Sequence, residues 1–215
     1  MLRVGLTGGV ASGKSTLAAH LVRLGAAACD ADAIVGELYR PGGAAVAAVS
    51  RLFGAAVAPD GGVDRDALAV EVLADGAARE RLEAAVHPLV RSRIAAWLAA
   101  AAAVDPPPAV ALVEAALLVE TGAFRDYDRL VVVTAPEAVR VARAVARGWP
   151  EARARRIAAA QASEAERAAL ADYLVRNDGE PEALADAAER LWPLLLEDAA
   201  RLDEGAALPA RGLTL

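Results

Sequence analysis

The chain has 215 residues, 56% of them hydrophobic and 24% charged, enough to bury a sizeable core as one globular unit with inserted subdomains. A formal net charge of −6 excludes a global field that would draw it to nucleic acid or an anionic membrane, so its arginines must act locally. A single cysteine, Cys29, excludes an internal disulfide and fits a reducing cytoplasm.

Leu2 to Thr7 reads as an apolar first strand. It runs into Gly8-Gly9-Val10-Ala11-Ser12-Gly13-Lys14-Ser15, a full match to the phosphate-loop pattern G-x-x-x-x-G-K-S. Gly8, Gly9 and Gly13 allow the close backbone approach that turns successive N–H groups toward an anion. The helix expected over Lys14 to Leu24, with Leu17, Leu21, Val22 and Leu24 on its apolar side, adds its positive end. Lys14 is the only lysine; every other basic residue among the 23 Lys and Arg is arginine. A slim ammonium suits the β and γ oxygens of a nucleotide, where a planar guanidinium fits poorly. ATP is therefore expected along Gly8 to Thr16, with Ser15 offering its hydroxyl to Mg²⁺ and Thr16 reaching the α-phosphate. The bland alternative is a glycine-rich turn joining strand to helix. The complete motif in the right context argues against it. With the loop beginning within ten residues of Met1, no leader is expected.

Ala26 to Asp30 is a second short strand, ending in Cys29-Asp30-Ala31-Asp32-Ala33. A carboxylate at a strand's carboxyl end can orient an acceptor hydroxyl and take its proton, which makes Asp32 the candidate base. Asp32 also precedes Ala33-Ile34-Val35 and suits a helix N-cap, a role that does not exclude catalysis. Asp30 is assigned to supporting the loop or the water shell of Mg²⁺. A long helical insertion follows: Asp32 to about Phe53, a turn at Pro59-Asp60-Gly61-Gly62, then helices from Asp64 to about Val104. Its apolar end, Ile94 to Val104, is too short for a membrane span and stops at Asp105-Pro106-Pro107-Pro108.

Ala109 to Glu114 and Arg129 to Thr134 are the third and fourth strands, and Tyr173 to Asn177 is a fifth. Glu114 either holds a magnesium-bound water or is a strand-end charge facing solvent. Pro136 to Ala168 reads as helical and rich in arginine. Within it Arg143 and Arg147 lie four apart, share a face, and can bring two positive charges over a transferring phosphoryl. Arg153, Arg155 and Arg156 are expected to pair with Glu151, Glu164 and Glu166 on a solvated helix. Asn177 either contacts a base or makes a turn with Asp178-Gly179. Pro181 to Asp198 reads as a closing helix, and the segment after Asp203 as a loose tail.

The alternation implies an α/β fold: a three-layer, five-stranded parallel sheet with helices on both faces and ligands at the strands' carboxyl ends. The core is expected from 1–32, 105–135 and 169–202, a substrate-binding insertion from 33–104, a lid from 136–168 and a flexible tail from 203–215.

The loop Leu6 to Thr16 followed by Asp30-Ala31-Asp32 resembles the dephospho-CoA kinase family, whose members phosphorylate the ribose 3′-hydroxyl of dephospho-CoA. Val63 to Leu68 is similar to its acidic-Asp-Arg stretch and Val86-His87-Pro88-Leu89-Val90-Arg91 to its His-Pro-x-x-Arg motif. Ala115 to Gly122 resembles its Pro-Leu-Leu-Phe-Glu loop, Arg143 and Arg147 match its paired lid arginines, and Asp172 to Gly179 completes the set. Ala11, Ala116 and Val119 depart from the family's glycine, proline and phenylalanine. The resemblance implies that Arg65, His87, Arg91 and Leu117 hold dephospho-CoA with Asp32, that Asn177 contacts adenine, and that the enzyme is a cytoplasmic monomer or weak homo-oligomer. By their residue types alone, His87 also suits a helix-breaking surface position, and Arg65 and Arg91 suit solvated helix charges. Two rival classes are another small-molecule kinase, with a nucleoside, nucleotide or sugar acceptor, and a nucleotide switch. The switch fares badly, because a guanine reader of the Asn-Lys-x-Asp type needs a second lysine.

Overall fold

A computed structural model describes residues 1–54, 61–179 and 183–215. Pro59 and Asp60 of the expected turn, and Pro181 at the expected start of the closing helix, lie outside the described residues. The chain divides into two compact units, 1–29 with 100–215, and 30–99.

In chain order the strands are β1 (Leu2–Gly8), β2 (Ala27–Asp30), β3 (Val110–Glu114), β4 (Arg129–Thr134), β5 (Tyr173–Arg176) and β6 (Leu213–Thr214). The helices are α1 (Lys14–Leu24), α2 (Ala31–Leu38), α3 (Val46–Phe53), α4 (Arg65–Ala74), α5 (Gly76–Ala102), α6 (Glu137–Ala146), α7 (Glu151–Ala160), α8 (Glu164–Leu170) and α9 (Ala183–Asp203), with a 3-10 turn at Ala123–Asp126. The sheet order is β2-β3-β1-β4-β5-β6, and β1 pairs in parallel with both β3 and β4. Central parallel strands are covered on both faces, which is why Val110 to Val113 and Val131 to Val133 are uninterrupted apolar runs, each residue fully buried. One face packs Leu2, Val4 and Leu6 against Leu17 and Leu21 of α1 and Leu191 and Leu195 of α9. The other packs Leu130 and Val132 against Leu118, Phe124, Tyr127 and Leu174.

The sheet has six strands rather than the expected five. The sixth comes from the segment read as a loose tail: Leu213 and Thr214 pair in parallel with Tyr173 and Leu174. What ties it down is charge buried far away in sequence. Asp198, fully buried on α9, accepts from Arg129 Nε at 2.6 Å, Tyr173 Oη at 2.6 Å and Arg211 Nη2 at 2.9 Å, and Arg129 also donates to the carbonyl of Pro209 at 2.8 Å. Burial works to raise the Asp198 pKa, but the three donors outweigh it and hold the carboxyl down at about 2.

The helical stretch expected from Pro136 to Ala168 is divided into three helices. Gly148, at φ 88°, with Trp149 and Pro150 ends the first, and Ser163 starts the last with a reciprocal capping box to Glu166. Of the expected ion pairs only Arg155 with Glu151 forms (2.7 Å); Glu164 instead meets Arg140 at 3.3 Å and Arg167 at 3.7 Å, and Arg153 lies over the Trp149 ring.

The 30–99 unit is helical, with its own small core of Leu38, Tyr39, Ala45, Val49, Leu68 and Val86. Pro41-Gly42-Gly43 separates α2 from α3, so the stretch read as helical to Phe53 holds two helices. Among the described residues no helix is long and apolar enough to cross a membrane.

Candidate active site

β1 delivers the chain into the loop between two central strands, so the loop sits at the carboxyl end of the sheet where strand order reverses direction. Gly13 takes φ 106° immediately before α1, a left-handed conformation that a β-carbon disfavours. The space around it is also closed to a side chain: a β-carbon there would run into Asn177 Nδ2, which donates to the carbonyl of Ser12 at 2.7 Å. Ala11 sits at φ 54°, where the alanine is strained by about 1 kcal/mol and a glycine would not be.

Lys14 Nζ lies 3.1 Å from the carbonyl oxygen of Gly8 and 3.3 Å from that of Gly9, so the ammonium is held over the mouth of its own loop. Ser15 Oγ donates to Glu114 Oε1 at 2.6 Å. The first residue pair of α1 and the end of β3 thus bring two hard oxygen donors together, the chemistry Mg²⁺ prefers. Among the described residues no three His, Cys, Asp or Glu side chains gather as a metal cluster, which is ordinary for Mg²⁺ bound chiefly by water and phosphate.

Arg143 on α6 donates from Nη1 to the Asn177 carbonyl at 3.0 Å and from Nη2 to Asn177 Oδ1 at 3.3 Å. Arg143, Asn177 and Ser12 therefore form one chain of hydrogen bonds into the loop. Arg147 lies one turn after Arg143 as the residue that caps α6, its amide donating to the Arg143 carbonyl at 3.3 Å, and it is exposed. Leu117 lies in the segment after β3, half-buried, and its carbonyl accepts from Thr121 Oγ1 at 2.7 Å. Thr16, Val10 and Gly9 complete the loop and the first turn of α1.

The 30–99 unit carries the other residues singled out in the sequence. The N-cap of α2 is Asp30, not Asp32: Asp30 Oδ1 accepts from the Asp32 and Ala33 amides at 2.8 and 3.3 Å. Asp30 therefore works as a cap, and Asp32 is exposed in the first turn. Arg65 opens α4 behind its Asp64 cap, exposed, with its guanidinium 5.9 Å from the centre of the Tyr39 ring. His87 and Arg91 are one turn apart on α5, either side of Pro88 and its two successors, His87 half-buried and Arg91 exposed.

Three residues near the loop had no sequence signal. Arg140 is 4% exposed, donates from Nε to the Ala135 carbonyl at 3.0 Å, and lies where a β-carbon on Gly9 would have to go. Gln161 Oε1 accepts from the Val10 amide at 2.8 Å. Arg167, 1% exposed, donates to Glu120 Oε1 at 2.8 Å. Burial raises the pKa of Glu164, which bridges the two arginines, and their charges oppose that rise.

A parallel sheet, a phosphate loop at the carboxyl end of its central strand and a helix springing from that loop define a phosphate-loop protein of the kinase fold. The structure superposes on that of TT1252 from Thermus thermophilus with a TM-score of 0.76 and 33% identity, covering 90% of this chain and 97% of the other. It also matches the fold of a dephospho-CoA kinase from Campylobacter jejuni, with a TM-score of 0.58 and 18% identity over 90% and 96% of the two chains. The family model described as dephospho-CoA kinase matches residues 2–182. A dephospho-CoA kinase of Anaeromyxobacter dehalogenans is 47% identical, over 87% of this chain and 89% of its own. One from Mycolicibacterium paratuberculosis is 42% identical over 89% of this chain, and there the match spans 47% of the longer relative. The chain belongs to the dephospho-CoA kinase family.

Proposed function

We propose that this chain transfers the terminal phosphoryl group of ATP to the ribose 3′-hydroxyl of dephospho-CoA, giving coenzyme A and ADP. The observation that carries the reading is the loop itself: the chain's one lysine, Lys14, held over its own loop by the Gly8 and Gly9 carbonyls, with Ser15 Oγ and Glu114 Oε1 2.6 Å apart beside it. Phosphoryl transfer asks little covalent chemistry of a protein; positioning and charge stabilisation are most of the work. Lys14 bridges the terminal phosphates, and the loop amides with the amino end of α1 hold the β-phosphate. Ser15 would hold Mg²⁺ directly and Glu114 one of its waters; the ion would supply positive charge that neutralises the phosphates.

Asp32 orients the acceptor hydroxyl and takes its proton. Arg65, His87 and Arg91, with Leu117, receive dephospho-CoA, the arginines meeting its phosphates. Arg143 and Arg147 belong to a lid over 136–168 that excludes water and stabilises the transferring group. Asn177 contacts adenine. The insertion over 33–104 is the acceptor domain, and the remaining helices and strands are the nucleotide core. A cytoplasmic enzyme, monomeric or weakly self-associating, completes the reading; the single cysteine supports the reducing compartment.

The test is an acceptor screen with purified protein, Mg²⁺ and ATP, comparing dephospho-CoA with adenosine, AMP, shikimate and gluconate. ADP release is expected with dephospho-CoA and at background with the other four. Equal or greater turnover with any of those would assign a different acceptor, and no magnesium-dependent ATP binding in calorimetry would remove the kinase reading altogether.

A further inference from the structure

We propose that Gln161 is a positioning residue for ATP: its side-chain oxygen holds the apex of the phosphate loop in the conformation that receives the nucleotide. The inference rests on the kinase reading above and adds a residue to it. The contact joins positions 151 residues apart, with the Val10 amide donating to Gln161 Oε1 at 2.8 Å in a part-buried setting. Gln161 ends α7, and the next residue is fixed in turn. The Ala162 amide donates to Glu120 Oε1 at 2.8 Å, and that same oxygen accepts from the buried Arg167 at 2.8 Å. Arg167 lies 3.7 Å from Glu164, which pairs with Arg140 at 3.3 Å, and Arg140 fills the space beside Gly9. Two adjacent loop residues are thus gripped from one side, Gly9 by a guanidinium in van der Waals contact and Val10 by an amide oxygen.

This arrangement has a physical rationale. Buried ion pairs add little net stability, since desolvation offsets their attraction, but they hold geometry firmly. The loop needs such a hold. Ala11 sits at φ 54°, a conformation that alanine leaves readily if nothing restrains it. If only a fraction of molecules has the competent loop, the apparent nucleotide affinity falls by that fraction. The residue type also matters. A glutamate would accept from Val10 equally well, but would put a negative charge beside the triphosphate; glutamine gives the acceptor without the repulsion.

Gln161→Met keeps the side-chain length and removes the acceptor, and Gln161→Glu keeps an acceptor and adds charge. Amide hydrogen exchange without nucleotide should show Val10 exchanging about threefold to tenfold faster in Gln161→Met, the range one neutral hydrogen bond spans. The Kd for Mg·ATP should rise by a similar factor, with kcat within about twofold. In Gln161→Glu, Val10 should keep its slow exchange while the Kd rises at low salt and recovers as salt is added. A purely structural role would lower Tm without this split. Val10 exchange and ATP affinity of Gln161→Met both within twofold of the parent would overturn the proposal. If Gln161→Met does not fold, loss of Val10 protection in Gln161→Glu, or an ATP affinity there unchanged at low salt, overturns it. Parent protein that fails to bind Mg·ATP would sink the kinase reading instead, and Val10 exchange would still decide the contact.

Discussion

Gly13→Ala should be costly, and most of the cost should come through one neighbour. The backbone sits at φ 106°, so an alanine carries about 1–2 kcal/mol of left-handed strain. The added carbon also collides with Asn177 Nδ2, within a side chain only 4% exposed that links Ser12 to Arg143. Moving Asn177 away breaks its bond to the Ser12 carbonyl, about 0.5–1.5 kcal/mol, and its bond from the charged Arg143, about 1.5–3 kcal/mol. The sum is about 3–6 kcal/mol, which for a chain of this size lowers Tm by about 6–24 °C. A double-mutant cycle isolates the collision: in an Asn177→Ala background the same substitution should cost only the strain, about 1–2 kcal/mol. Thermal and denaturant unfolding of the four proteins gives the coupling, with Mg·ATP calorimetry run alongside. Equal cost of Gly13→Ala in both backgrounds would refute the argument that Asn177 occupies the space the glycine leaves.

Asp32→Asn should lower kcat by about 10²–10⁴, the range for losing a general base, with the KM for ATP within about threefold; near-native turnover would remove Asp32 from the base role. Arg167→Met strips Glu120 of its buried partner and should cost about 3–5 kcal/mol, read as a Tm drop of about 6–20 °C; a drop under about 3 °C would mean the pair is solvated. Asp198, held at about 2 in the fold against an unfolded value near ~3.9, contributes stability that is fully present above pH ~4 and lost as pH falls toward 2. Denaturant midpoints measured across that window should fall for the parent and stay flatter for Asp198→Asn, which starts lower.

The strand–loop–helix at the start of the chain was legible because its signals are local: an apolar run, three glycines at fixed spacing, and an amphipathic repeat. Strands β3 and β4 were legible for a similar reason, since full burial writes itself as unbroken valine and leucine. β6 was not. Two residues, Leu213 and Thr214, carry no periodicity, and their place in the sheet depends on Arg211 reaching Asp198. Arg140, Arg167 and Gln161 were hidden because a buried arginine on a helix is spelled like a solvated one. Only the partners, Glu164, Glu120 and the Val10 amide, tell them apart. The Asp30 and Asp32 pair shows the limit of one-residue precision: both suit a helix start, and the difference between cap and first turn is a matter of φ and ψ at a single position.

Lys14 gives the chain its one ε-amine, clasped by the Gly8 and Gly9 carbonyls, while the Met1 amino group lies 3.3 Å from Asp203. An amine-directed acylating reagent therefore has one side-chain target in the whole molecule. Its uptake at Lys14, separated from that at the Met1 amine by mass mapping of the digested chain, becomes a footprint of the nucleotide cradle: shielding by a bound triphosphate can be titrated directly, without a coupled assay or an engineered label.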